Sequence, residues 1–150
     1  MIFISHRGNI TGPSPEHENK VGYIEEAIRK SYEVEIDVWW YENDWWLGHD
    51  KPQYKTTLNF LKQDGMWCHA KNTDALKRML QKNVHCFWHQ EDKVTLTSLN
   101  HIWAYPGYQP IKDSIAVMPE LCNDEIFCCK GVCSDFIERY RDDFYEMVYG

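Results

Sequence analysis

Short β-like runs recur along the whole chain, but the segments between them change character halfway. MIFIS reads as a strand, and ENKVGYIEEAIRKSY spaces Val21, Ile24, Ile28 and Tyr32 three and four residues apart, as an amphipathic helix requires. EVEIDVWWY is a β-rich run, ENDW a turn signal, and WWLG the returning arm of a hairpin. A short helix over TTLNFLKQ, a strand over MWCHAK and a helix over NTDALKRMLQK follow. Asn72 or Thr73 caps that last helix, and Ala75, Leu76, Met79 and Leu80 form its inner face. Beyond it, VHCFWHQ, KVTLTS, HIWAYP and SIAVMP lie almost end to end, and GVCSDF then leads into a closing helix over DFIERYRDDFYEM. Strands alternating with helices imply a parallel sheet with right-handed crossovers. Many such strands in sequence imply a barrel, although a complete one takes about 200 residues or more. For 150 residues the expectation is an α/β chain, a truncated (β/α)8 TIM-type barrel with several helices missing in its second half. It forms a single domain over residues 1–150.

Charge and composition narrow the partners. A net charge of −7 leaves no basic face to neutralise a nucleic-acid backbone. A small phosphate ester needs only a few local cations and is not excluded. No apolar run reaches the length of a transmembrane segment, and MIFIS lacks the basic region and the length of a signal peptide. A cytoplasmic location is therefore expected, with the six cysteines reduced and mostly buried. CNDEIFCCKGVC has no paired CxxC units, which argues against structural zinc. Seven Trp and nine Tyr supply large rings for the interior.

In a parallel barrel, chemistry gathers at the C-terminal ends of the strands. The first strand ends in His6-Arg7, the second carries Glu35 and Asp37, the hairpin ends in His49-Asp50, and the third strand ends in His69-Ala70-Lys71. Period-two geometry puts Glu35 with Asp37, and His69 with Lys71, on one face each. Singly, each has a structural explanation: a core histidine, a surface charge, a turn. Their coincidence at successive strand ends points instead to one polar mouth.

ISHRGN, HEN, VEIDVWW and WWLGHD, in this order over residues 2–50, resemble the glycerophosphodiester phosphodiesterases of the phospholipase-C-like barrel superfamily. A weaker likeness continues at HAK and at GVCSDFIERY, and residues 84–125 do not align. The resemblance implies His6 and His49 as general acid and base and Arg7 and Lys71 as phosphate-binding cations. It implies Glu35, Asp37 and His69 around one divalent metal ion (Mg2+, Mn2+ or Ca2+), with Glu18 and Asn19 in support. Imidazoles near neutrality suit proton transfer, a carboxylate-held cation neutralises phosphate oxygens, and Gly8 lets the backbone turn away from the substrate. One departure matters: His69 stands where the family has a glutamate. That weakens hard-ion binding and favours nitrogen-tolerant ions, unless Glu91 or Glu120 compensates.

The expected function is metal-dependent hydrolysis of a glycerophosphodiester or related small phosphodiester in an open, shallow pocket. A phospholipase-D-type lipid enzyme forming a cyclic phosphate is the second reading, with WWYENDWW as its apolar rim. The third is a barrel that binds a phosphoester without turnover. A three-residue END loop is expected in the Trp-rich hairpin, pairing Tyr41 with Trp45 and Asp37 with His49. A two-residue ND loop would set His49 opposite Val38, on the wrong face.

Overall fold

The computed structural model describes residues 1–150. Strand β1 (Ile2–His6) leads through a long loop to helix α1 (Val21–Arg29), then to β2 (Glu33–Tyr41) and β3 (Asp44–Leu47). Next come β4 (Tyr54–Lys55), the single-turn helix α2 (Leu58–Leu61), β5 (Met66–Ala70) and α3 (Thr73–Gln81). The second half holds β6 (Cys86–Phe87), β7 (Val94–Leu96), β8 (Ile102–Ala104) and β9 (Ile115–Val117), then a 3-10 turn at Pro119–Leu121. It closes with β10 (Gly131–Ser134) and α4 (Ile137–Tyr149).

This is not the truncated (β/α)8 barrel expected from the alternation. The ten strands make one mixed sheet, curled into a half-barrel and accompanied by only four α-helices. Strands β6, β5, β2, β1, β10, β9 and β8 are parallel neighbours in that order, while β3, β4 and β7 join antiparallel. No ladder joins β6 to β7. That junction is bridged by Ser98 N–H donating to the Cys86 carbonyl (2.8 Å), Ser98 Oγ accepting from Cys86 N–H (2.9 Å) and Thr95 Oγ1 donating to the Trp88 carbonyl (2.9 Å). The missing helices have a local cause. Between α3 and β10 the chain turns through Asn83, Asn100, Asp113, Met118 and Asn123, all with left-handed φ, so tight turns replace helical crossovers.

Why these segments pair as they do follows from their two faces. In β2 the residues Val34 to Val38 are buried on both sides, as in a central parallel strand. Val34, Ile36 and Val38 join Ile24 and Ala27 of α1 and Ala75 and Met79 of α3 in an outer core between sheet and helices. The alternate residues enter the curl, where Ile4, Trp67, Phe87, Trp103, Ile115, Val117 and Cys133 form a second, inner core. Asn72 caps α3 by accepting from Ala75 N–H at 3.0 Å. Leu80, expected on the inner face, is half-exposed, because the helix ends one residue later. All six cysteines are free thiols, and burial pushes those of Cys68 and Cys133 well up from their ordinary range.

The hairpin register differs from both expectations. Tyr41 pairs with Asp44 and Val38 with Leu47, so the loop is Glu42-Asn43, both at positive φ (49° and 57°). Two left-handed residues match the twist of a tight hairpin, which a longer loop does not need. Its rings pack on their neighbours instead of making an apolar rim. Trp40 meets Trp45 at 5.0 Å with Arg78 4.0 Å over its face, and Lys55 lies over Trp46 at 5.5 Å. No helix is long and apolar enough to cross a membrane.

Candidate active site

Register alone assembles the centre of the site. His6 is the cross-strand partner of Glu35, and Asp37 that of His69. Because β2 alternates faces, Glu35 and Asp37 both point into the curl at its C-terminal end. An open cavity of about 290 Å3 lies there, lined on one arc by His6, Arg7, Glu35, His49, His69 and Lys71. Asp37 is fully buried behind them. The structure thus brings together every residue singled out from the sequence. His49 arrives there although the expected register fails: β3 ends at Leu47, and Gly48, at φ 154°, redirects the chain so that His49 reaches the mouth from a turn. A Cβ at Gly48 would collide with the Lys51 carbonyl oxygen.

His6 is held by its Nδ1, 2.7 Å from Asp135 Oδ1, and Asn9 Nδ2 donates to the same oxygen at 2.9 Å. Its Nε2 lies 3.5 Å from Glu35 Oε2. Burial works against a charge on His6, but the Asp135 hydrogen bond and the Glu35 charge prevail and raise its pKa. Burial and the nearby Arg7 guanidinium lower that of His49, whose Nδ1 sits 2.8 Å from the exposed Asp50.

Arg7 occupies a left-handed turn (φ 59°) just past β1. Its Nε lies 3.1 Å from Asp37 Oδ2, its Nη1 donates to Glu18 Oε1 at 3.3 Å, and the residue lines the cavity. Gly8 serves this turn in a way the sequence did not suggest. Its Cβ would sit 2.8 Å from the Tyr23 ring, so the crowding it avoids is with α1 and not with a substrate. Glu18 and Asn19 lie in the loop before α1, one step earlier than a helix start. Asn19 Nδ2 donates to Asp37 Oδ2 at 2.8 Å, and its Oδ1 accepts from Asp37 N–H at 3.0 Å.

The carboxylates carry the chemical signal. Glu35 Oε2 and Asp37 Oδ1 are buried without a hydrogen-bond partner. Burial and the neighbouring Asp37 raise the Glu35 pKa, whereas Asp37 stays low against its own burial through His69 and Arg7. His69 Nε2 lies 2.8 Å from the His89 carbonyl. A carbonyl only accepts, so Nε2 carries the proton, and in neutral imidazole Nδ1 is a lone pair. That lone pair faces Asp37 Oδ1 at 3.3 Å and Glu35 Oε1 at 4.0 Å. One ligand atom from each of Glu35, Asp37 and His69 falls within 4.8 Å of the others. With that neutral imidazole the three acceptors fit a divalent cation, and a carbonyl-fixed imidazole is the usual form of a metal ligand; without an ion, a proton on the same Nδ1 makes the hydrogen bond that lowers the Asp37 pKa. Neither acidic alternative joins them: Glu120 accepts from Ser134 and Tyr140 (2.8 and 3.0 Å), and Glu91 is an exposed loop residue.

Two residues of the site were not singled out from the sequence. Asp135 sits two residues past the inner-facing Cys133, so strand parity places it in the mouth. His89 stands in the same relation to Phe87, but β6 is only two residues long and its parity could not be read. Comparison with protein-family models, with characterised proteins and with solved structures returns no match for this chain.

Proposed function

We propose that the chain is a metal-dependent phosphodiesterase acting on a glycerophosphodiester or a related small phosphodiester, as the glycerophosphodiester phosphodiesterases do. The observation that carries this reading is the convergence of three proton-poor ligand atoms beside a histidine whose far nitrogen is anchored by a carboxylate. Glu35, Asp37 and His69 would hold the ion, which when bound supplies a Lewis acid for a phosphate oxygen. Arg7 and Lys71 line the same arc and add positive charge toward the phosphoryl group. Asp135 fixes the His6 ring so that Nε2 is the atom that takes or gives a proton on the reacting side. His49, on a turn at the mouth, serves the opposite transfer, so one histidine takes a proton from the attacking water while the other protonates the departing alkoxide. The wall closest to bulk water is the His49 side, where the ring is 46 % exposed and products can leave.

The lipid-directed reading draws no support from the hairpin, whose rings are engaged with each other and with Arg78 and Lys55. The test is hydrolysis of bis(p-nitrophenyl) phosphate and of glycerophosphocholine across a panel of divalent ions, with His6→Ala as control. Turnover that needs the ion and disappears in the control supports the reading. Binding of phosphate esters with no turnover under any ion would make the chain a binding module.

A further inference from the structure

The cavity has a second arc that acid-base and metal chemistry leaves unused. Phe87 ends β6 and His89 and Gln90 follow it, Trp103 and Tyr105 come from β8 and its exit, and Val117 from β9. Opposite a wall of charge, this one is mostly flat rings. Phe87 and Trp103 pack at 4.7 Å, and Phe87 stacks on His69 at 5.1 Å with only 10° between planes. In their midst His89 is 4 % exposed, and neither ring nitrogen has a hydrogen-bond partner. The nearest acid, Asp92, is 3.6 Å from Nδ1 on an exposed loop, and the Tyr105 ring stands edge-on at 3.6 Å. A buried imidazole with both nitrogens unsatisfied costs stability, and packing alone would be served as well by an apolar side chain. It is intelligible as half of a hydrogen bond whose other half comes with a ligand.

We propose that this arc, built on Phe87, His89, Trp103 and Tyr105, is a subsite for one ester substituent of the substrate: a compact planar ring with a hydrogen-bonding edge. The assignment rests on the phosphodiesterase reading, which places the phosphoryl group against the arc of His6, Arg7 and Lys71 and so turns one substituent toward the rings. Flat aromatic walls favour a flat guest through offset and edge-to-face contact. His89 reads the guest's polar edge, because an unmatched guest leaves the imidazole unpaired. A cavity of about 290 Å3 admits one ring beside a phosphate.

The test is binding, which does not depend on turnover. Dissociation constants are measured by tryptophan fluorescence or calorimetry for methylphosphonate, phenylphosphonate and 4-nitrophenylphosphonate. The expected order is tightest for 4-nitrophenyl and weakest for methyl, with phenyl over methyl by about tenfold. His89→Leu is expected to abolish the gain of 4-nitrophenyl over phenyl, and Tyr105→Ala to reduce that of phenyl over methyl. Each readout is a ratio within one protein, so partial loss of folded protein does not mimic it. Phenylphosphonate binding no tighter than methylphosphonate would overturn the subsite, as would a His89→Leu protein that keeps the 4-nitrophenyl advantage. Failure of the phosphodiesterase reading shows elsewhere, as absent hydrolysis of bis(p-nitrophenyl) phosphate with the binding order intact.

Discussion

His6 and His49 reach the same mouth by different means, and their variants should differ accordingly. His6 is locked between Asp135 and Glu35, whereas His49 is nearly half-exposed on a turn. Replacing either with Ala should lower kcat by about two to four orders of magnitude, the ordinary cost of a lost acid or base. Melting temperature should fall in His6→Ala, which leaves buried Asp135 with Asn9 alone, and stay unchanged in His49→Ala. Near-wild-type turnover in either variant would end the two-histidine mechanism. His69 makes a separate prediction. Its Nδ1 lone pair gives the site two oxygens and one nitrogen, a set that suits Mn2+ better than Ca2+. EDTA should abolish activity, Mn2+ should restore it more fully than Ca2+, and His69→Glu should move the preference toward Mg2+ or Ca2+. An unchanged metal profile in His69→Glu would show that the imidazole does not ligate the ion.

At the scale of the element, the turn that carries His49 is the least redundant piece of the site. Gly48 is buried at φ 154° with the Lys51 carbonyl where a Cβ would go, and its own carbonyl accepts from Trp39 Nε1 at 2.6 Å. Gly48→Ala should therefore cost both stability and turnover, read as a lower denaturation midpoint together with reduced kcat. Loss of neither would mean that the turn adapts freely. The same turn shows what sequence could and could not convey. Glu35, Asp37 and His69 were legible because period two is fixed within a continuous strand, and strand ends of one polarity converge. His49 was legible as a residue of the mouth but not in its register, since a hairpin register depends on left-handed φ values at Glu42 and Asn43 that no side-chain pattern announces. The barrel expectation failed for the same kind of reason. β6 to β9 are two or three residues long, too short for periodicity to say whether a helix, a turn or an antiparallel partner comes next.

The molecule as a whole has a second histidine cluster at the other end of the curl, and it should contribute to acid stability. Rings of His85 and His101 lie 5.7 Å apart and both pack on Trp67, with His85 Nε2 2.9 Å from Thr97 Oγ1. Burial, then the proximity of His101, depresses the His85 pKa to about 4. Between that value and the ordinary 6.5, the unfolded chain binds a proton that the folded chain refuses. The contribution of His85 should therefore be full above pH 6.5 and fall progressively toward pH 4, and His85→Gln should reduce the loss of stability between pH 7 and pH 5 in denaturant titrations. A slope identical in the two proteins would remove His85 as its source. The pairing of His6 with Asp135 has a consequence in time. The two residues are 129 positions apart and meet only once β10 has docked beside β1. The His6 ring is oriented only after the chain as far as Asp135 has been made, and loop closure over such a span is slow. Under the proposed hydrolysis, every partly folded species with β10 undocked should be catalytically silent, so regain of turnover during refolding would time the arrival of β10.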